Sequence, residues 1–243
     1  MSEREEYTAE TYPSFGKKYN GEKAIISLTS WKARINTVSK TLFSLLKQCP
    51  GFHIVLVLSE EEFPKMMDEL PDNLKIFAEN ELIEVLWVYK NYKSFKKVLF
   101  TMDKYRDVPI ISADDDCIYK YNYAEELYKR WLNNKNCVIT ETTTEFNKDA
   151  FGYATLYPLN FLYADTNVLN CINFILKMHS VHDDCFYRFV RLSKNIKLIS
   201  LHKLIKNVVF FHNTTAPVSK NNSYKLKNIS QERMIKESVS RFL

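Results

Sequence analysis

Val108-Pro109-Ile110-Ile111-Ser112-Ala113-Asp114-Asp115-Asp116 runs from a short apolar segment straight into three consecutive carboxylates. The apolar part reads as a buried strand. Three adjacent aspartates repel one another, and burying them unpaired is very costly. The cluster is therefore either an exposed acidic turn or a site for a cation, and the strand in front of it favours the cation. In an open α/β sheet, ligands bind outside the carboxyl ends of the strands, which is where these aspartates fall. An oxygen-only donor set suits a hard ion, Mg²⁺ or Mn²⁺, which keeps several waters and bridges to phosphates.

Upstream, Ala24-Ile25-Ile26-Ser27-Leu28 predicts the first core strand. It opens into Thr29-Ser30-Trp31-Lys32-Ala33-Arg34, a loop with hydroxyls, an indole and two cations. Asn36 or Thr37 is placed to cap a helix whose apolar positions Val38, Leu42, Leu45 and Leu46 share one face. His53–Leu58 is a near-continuous apolar run, as expected of a strand covered on both faces. Ser59 is placed to cap an acidic segment, Glu60-Glu61-Glu62, that suits a helix N-terminus. Another strand is expected at Glu84–Val88, and a helical pattern at Val98, Leu99 and Met102. Strand alternating with helix up to residue 116 implies βαβ units and a mainly parallel sheet.

Downstream, a helix is expected from Tyr123 and a strand at Cys137–Thr140. The stretch from Glu141 to Tyr163 reads as aromatic and loop-like. Helices are expected at Val168–Met178 and Asp183–Lys194, and a strand at Ile196–Ser200. An apolar run follows at Val208–Phe211, and a short terminal helix near Gln231–Arg241. No internal repeat or clean linker appears. The expectation is one α/β domain over 23–215, with a polar N-terminal arm over 1–22 and a basic C-terminal tail over 216–243.

The chain of 243 residues, 46% hydrophobic and 14% aromatic, can bury a sizeable core. No stretch approaches the roughly 18 uncharged apolar residues of a membrane span. The start, Met1-Ser2-Glu3-Arg4-Glu5-Glu6, is charged where a secretory signal is apolar, so a soluble cytoplasmic protein is expected. Five cysteines (Cys49, Cys117, Cys137, Cys171, Cys185) without CxxC spacing suit free thiols in a reducing compartment. Residues 191–243 hold eleven Lys/Arg against two Asp/Glu, while the rest of the chain holds 23 basic and 27 acidic side chains. Such a basic end suits phosphates, nucleic acid or an anionic membrane surface, or is simply a solvated face. With only four glycines, neither GxGxxG nor GxxxxGK[ST] occurs, and HExxH and GxSxG are absent too.

Four segments carry a resemblance: Ser27-Leu28-Thr29-Ser30-Trp31-Lys32-Ala33-Arg34-Ile35, Leu58-Ser59-Glu60-Glu61-Glu62-Phe63-Pro64, Lys93-Ser94-Phe95-Lys96-Lys97, and the triple aspartate. In this order they resemble bacterial glycosyltransferases of surface-polysaccharide (capsule or lipopolysaccharide) clusters, which have the GT-A nucleotide-diphospho-sugar transferase fold. The resemblance is clear over 24–140 and weaker over 150–215. It implies that Thr29, Ser30, Arg34, Ser94, Lys97, Asp114 and Asp115 hold the nucleotide sugar. It implies Asp116 and Asp114 as ligands of Mn²⁺ or Mg²⁺, with His212 completing the metal shell. Gly152-Tyr153-Ala154-Thr155-Leu156-Tyr157-Pro158 is similar to the family's segment near the acceptor. Asp183 and Asp184, after His182, match the acidic pair that supplies the catalytic base, with Asp184 favoured.

The residue types suit that chemistry. A leaving diphosphate gains charge, which a metal-bound carboxylate site and a nearby cation stabilise. The attacking hydroxyl loses a proton, which a carboxylate accepts. The implied partners are a nucleotide-diphospho-sugar donor and a saccharide or lipid-linked acceptor, with peripheral membrane contact through the basic tail and no nucleic acid. For Asp183-Asp184 the plain alternative is helix capping; for His212, a hydrogen-bonded core histidine; for Trp31, simple packing rather than stacking on the base. Lys96 and Lys97 either touch phosphate or are solvated. Two other functions fit the aspartate cluster: a metal-dependent nucleotidyltransferase or nuclease, and a non-catalytic sugar-nucleotide-binding protein.

Overall fold

The computed structural model describes residues 10–48, 50–141, 154–162, 183–201 and 208–210. Its strands are β1 (Ser14–Gly16), β2 (Ala24–Thr29), β3 (Phe52–Ser59), β4 (Glu84–Val88), β5 (Ile110–Ser112), β6 (Cys117–Tyr119), β7 (Val138–Thr140), β8 (Thr155–Tyr157), β9 (Leu198–Ser200) and β10 (Val208–Phe210). Eight of them form one sheet in the order β1-β4-β3-β2-β5-β8-β7-β9, while β6 pairs with β10. β4, β3, β2 and β5 run parallel, and β7 and β9 point the same way. Only β1 and β8 in this sheet run against them. The expected α/β architecture with a mainly parallel sheet is present.

The helices are α1 (Val38–Leu46), α2 (Asp72–Glu79), α3 (Lys96–Lys104), α4 (Tyr123–Leu132) and α5 (Asp183–Ser193). They cover both faces of the sheet. Ala24, Ile26 and Leu28 of β2 and Ile54, Leu56 and Leu58 of β3 pack with Val38, Leu42 and Leu45 of α1 and Tyr123, Ala124 and Leu127 of α4. The alternate residues Ile25, Val55 and Val57 pack with Val98, Leu99 and Met102 of α3 and Phe186, Tyr187 and Val190 of α5. Successive side chains of a strand point to opposite faces, so apolar residues are needed at every position. That is why β3 reads as an unbroken apolar run. Each fully buried Leu, Ile or Val contributes about 1.5–3 kcal/mol relative to exposure, so these two layers hold the strand ends rigidly in place.

Three local expectations are corrected. The described part of the N-terminal segment, 10–22, is no loose arm. β1 adds to the sheet edge beside β4, Trp87 N–H donates to the Pro13 carbonyl, and buried Tyr12 donates to Asp103 Oδ2 at 2.9 Å. An edge strand leaves unpaired N–H and C=O groups, and this segment satisfies them on β4. Gly16 permits the approach: its φ is +90°, and a Cβ there would meet the Ile83 carbonyl oxygen at 2.3 Å.

No helix starts at Ser59. The chain turns over Glu60–Phe63 and the Ser59 hydroxyl donates to Glu62. Pro64 disfavours helical backbone at Phe63, and α2 begins only after Pro71. The stretch expected to be loop from Glu141 onward contains β8, which lies between β5 and β7. The Val168–Met178 helix, the terminal helix and the basic tail lie outside the described residues. No described helix is long and apolar enough to cross a membrane.

Candidate functional site

β5 ends at Ser112, and after Ala113 the chain presents Asp114, Asp115 and Asp116 at the carboxyl end of the strand. The mutual repulsion of three aspartates is met by side chains from elsewhere in the chain. Ser30, just past the carboxyl end of the neighbouring β2, donates its hydroxyl to Asp115 Oδ2 at 2.7 Å. Arg34 Nη1 donates to Asp115 Oδ1 at 2.6 Å and lies 3.0 Å from Asp116 Oδ2. In the first turn of α3, Lys97 Nζ donates to Asp114 Oδ1 at 2.6 Å. It also lies 3.5 Å from Asp183 Oδ2 at the N-terminus of α5. The two cations thus tie β2, β5, α3 and α5 together at one end of the sheet.

Electrostatics follow from this packing. Burial pushes Asp115 above its ordinary value, with Arg34 and Ser30 pulling the other way. Burial would lower Lys97, but Asp114, Asp183 and Asp184 outweigh it and hold its ammonium well above the usual range. Burial and the Asp183 charge push Asp184 well up, against the pull of Lys97. Five carboxylates face two cations here, so the cluster is short of positive charge. A carboxyl with a raised pKa is a better proton acceptor near neutral pH.

The expected site residues divide by what they touch. Ser30, Arg34, Lys97, Asp114, Asp115, Asp116, Asp183 and Asp184 converge. Thr29 faces β3 and donates its hydroxyl to the Val57 carbonyl at 2.7 Å. Ser94 lies half-buried in a 3₁₀ turn, Lys93–Phe95, that leads into α3. Trp31 is exposed on the loop after β2. Lys96 is corrected on one of its two readings: it is not solvated. It is 1% exposed and donates to Glu62 at 2.7 Å and Asn91 at 3.1 Å. His182, Gly152, Tyr153 and His212 lie outside the described residues.

Among the described residues, no three His, Cys, Asp or Glu side chains are placed to share one ion. Mg²⁺ and Mn²⁺ sites that include substrate phosphates need only one or two carboxylates. The Asp114 and Asp116 side chains are 32% and 22% exposed, against 7% for Asp115. The donor chemistry therefore fits a hard divalent ion at Asp116 and Asp114, and not at Asp115.

One polar feature escaped the sequence reading. Ser27, Ser112, Thr155 and Thr140 lie in one row across β2, β5, β8 and β7, and all are fully buried. Ser27 pairs with Thr101 of α3 at 2.7 Å, and Thr140 with Thr155 at 3.0 Å. This hydroxyl tier lies on the α3 and α5 face, below Lys97 and the α5 carboxylates. The signal was present in Ile25-Ile26-Ser27, Ile110-Ile111-Ser112 and Val138-Ile139-Thr140, three strands that each interrupt an apolar run at one register position.

A cavity of about 640 Å³ lies elsewhere, lined by Lys17, Glu22, Lys23, Gly51 and Glu81 among others. These residues precede β2, β3 and β4, so the cavity is at the amino end of the sheet, away from the carboxylates. Lys17 pairs with Glu22 and Lys23 with Glu125 there. The carboxylates, and not this cavity, are the candidate site, because ligands of open α/β sheets bind at the carboxyl ends of the strands.

No protein-family model and no curated protein sequence matches the chain. Solved structures do. Residues 1–349 of TarS from S. aureus in complex with UDP align with a TM-score of 0.51 and 13% identity, over 74% of this chain and 58% of that one. A second structure of the same TarS fragment aligns at 0.50 and 12%, with the same coverage. The mannosyltransferase PcManGT from Pyrobaculum calidifontis, in complex with GDP-Man and Mn²⁺, aligns at 0.50 and 10%, over 76% of this chain and 56% of that one. At these identities the likeness shows the fold, which is the GT-A-like α/β architecture of glycosyltransferases. The chain spans less than three fifths of the length of each of these proteins.

Proposed function

We propose that this chain is a metal-dependent glycosyltransferase that moves a sugar from a nucleotide-diphosphate donor to a saccharide or lipid-linked acceptor. The observation that carries the reading is the convergence of Asp114–Asp116, Arg34, Lys97 and the Asp183-Asp184 pair at the carboxyl end of the parallel strands. UDP and GDP-Man with Mn²⁺ in the solved TarS and PcManGT structures support the donor class. The four sequence segments that resemble surface-polysaccharide transferases support the acceptor class and a bacterial, cytoplasmic setting.

Asp116 and Asp114 would hold Mn²⁺ or Mg²⁺, which supplies charge stabilisation to a leaving diphosphate. Ser30 and Arg34 hold Asp115 fixed and so set the angle at which its neighbours face a donor. Arg34 is also the cation closest to Asp116, placed to share charge that develops on a phosphate oxygen. Lys97 keeps Asp183 beside Asp114, which brings the α5 carboxylates up to the donor side. Asp184 accepts the proton of the acceptor hydroxyl, and burial and the Asp183 charge, by raising its pKa, make its carboxylate a stronger base. His212 is retained as a third metal ligand in this reading. The domain is proposed to run to residue 215 and to include 10–22 through β1, with the basic tail, 216–243, as the contact to an anionic membrane surface.

The test is a panel of nucleotide sugars incubated with the protein, with and without Mn²⁺, followed by detection of the nucleotide product. Metal-dependent release of nucleoside diphosphate is expected. Release of pyrophosphate, or cleavage of nucleic acid, would replace this reading with a nucleotidyltransferase or nuclease.

A further inference from the structure

The face of α1 that meets the aspartate segment is polar at two positions, and Gln48 in the turn just past the helix continues it. Thr41, Ser44 and Gln48 are all buried, at i, i+3 and i+7 spacing, which puts them on one side of a helix. Each bonds the main chain of the segment 115–124. The Gln48 amide donates to the Lys120 carbonyl at 2.6 Å and accepts the Ala124 N–H at 3.3 Å. Ser44 Oγ accepts the Tyr119 N–H at 3.0 Å. Thr41 Oγ1 lies 3.0 Å from the Asp115 carbonyl and 2.8 Å from the Cys117 carbonyl.

The Thr41 contacts are the informative ones. Asp115 and Cys117 flank Asp116, so a single hydroxyl, fully buried on a packed helix, holds the carbonyl of the residue before that aspartate and the carbonyl of the residue after it. The Asp115 carbonyl belongs to the peptide that leads into Asp116, and the Cys117 carbonyl to the peptide one step beyond it. The Asp116 side chain has few other restraints among the described residues: Arg34 reaches one oxygen at 3.0 Å and the Cys117 thiol approaches the other at 3.7 Å. A thiol is a weak donor. The direction of the Asp116 carboxylate is therefore set mainly by its backbone.

We propose that Thr41 is a positioning residue for metal binding: its hydroxyl holds the Asp115 and Cys117 carbonyls, and with them the turn that carries Asp116, so that the carboxylate faces the ion. This rests on the reading of Asp116 as a metal ligand. Groups that orient a ligand from behind typically cost 10–100-fold in metal affinity when removed, and roughly the lower end of that range is expected here because Arg34 still restrains Asp116. The hydroxyl proton is shared between two acceptors, so valine, which has the same shape and no donor, removes both bonds at once. Serine keeps them.

The experiment titrates Mn²⁺ into the full-length protein with UDP and GDP present, reading free Mn²⁺ by electron paramagnetic resonance. Four variants accompany the wild type: Asp116→Ala, Thr41→Val, Thr41→Ser and Ser44→Ala. The wild type should bind Mn²⁺ and Asp116→Ala should not. Thr41→Val should bind about tenfold more weakly, Thr41→Ser should restore the affinity, and Ser44→Ala should stay close to wild type, since Ser44 does not touch the peptides beside Asp116. Melting curves run in parallel, because loss of any of these bonds lowers Tm whether or not it moves the metal. Should Thr41→Val not fold, Thr41→Cys carries the same comparison with a weak S–H donor. Wild-type affinity in Thr41→Val, or equal losses in Thr41→Val and Ser44→Ala, would overturn the inference and leave the metal site standing. A wild-type protein that leaves Mn²⁺ free would overturn both.

Discussion

Replacing Lys97 by methionine tests whether this residue holds the two halves of the site together. Lys97 is 5% exposed, and methionine keeps the apolar stem while removing the charge. Asp183 Oδ2 has no hydrogen bond among the described residues and lies 3.5 Å from the Lys97 ammonium. Removing one partner of a buried pair costs about 3–5 kcal/mol. Asp114 bonds Lys97 at 2.6 Å but keeps a side chain 32% exposed, so water replaces part of what it loses. The low end, about 3 kcal/mol, is therefore expected. For a chain of this size each kcal/mol moves Tm by about 2–4 °C, which gives a fall of about 6–12 °C.

The pH dependence gives the experiment a sign. Burial and Asp183 raise Asp184, and Lys97 is the cation that pulls it back down. Without Lys97 the carboxyl rises further. A carboxyl whose folded pKa is raised adds stability below its unfolded value, about 3.9, and loses that stability as pH rises through the folded pKa. The deficit of Lys97→Met should thus be largest at neutral and alkaline pH and shrink as pH falls toward about 4. Thermal melts followed by circular dichroism across that range measure it. A variant within about 2 °C of wild type at neutral pH would refute the clamp. So would a deficit that grows on acidification.

Asp184→Asn should lower sugar transfer by about 10²–10⁴ while leaving nucleotide affinity nearly unchanged. It should also melt at or above the wild-type temperature at neutral pH, because the cost of ionising a raised carboxyl disappears; a wild-type transfer rate would remove Asp184 from the mechanism. Asp116→Ala should abolish the metal dependence of nucleotide binding, measured calorimetrically with and without a chelator, and equal wild-type affinities in both conditions would refute the metal site. Truncation after residue 218 removes Lys220, Lys225, Lys227, Arg233, Lys236 and Arg241. Each basic residue near an anionic surface is worth about 1 kcal/mol, so co-sedimentation with anionic liposomes at low salt should fall sharply; no change would return the tail to a solvated face.

The sequence by itself determined the parallel heart of the fold. β2, β3 and β4 are strands covered on two faces, so their apolar runs carry the signal locally, and α1 and α5 show it through the 3.6-residue spacing of their buried positions. The acidic turn was legible for the same reason, since like charges in a row after an apolar strand demand compensation wherever they fold. What compensates them was decided by tertiary structure. Arg34 meets Asp115 across 81 positions of sequence and Lys97 lies between Asp114 and Asp183, and side-chain types alone do not say which cation serves which carboxylate. Lys96 and Lys97 are identical neighbours in sequence, yet helix geometry turns one to Glu62 and the other to Asp114. β1 (Ser14-Phe15-Gly16) and β8 (Thr155-Leu156-Tyr157) were hidden because neither stands out as an apolar run in its surroundings, and their place depends on the exposed hydrogen-bonding edge of a strand already formed. Thr41 belongs to the same class: on the sequence it is one polar position beside an apolar helix face, and only the packing of α1 under the aspartate turn brings its hydroxyl to the two carbonyls around Asp116.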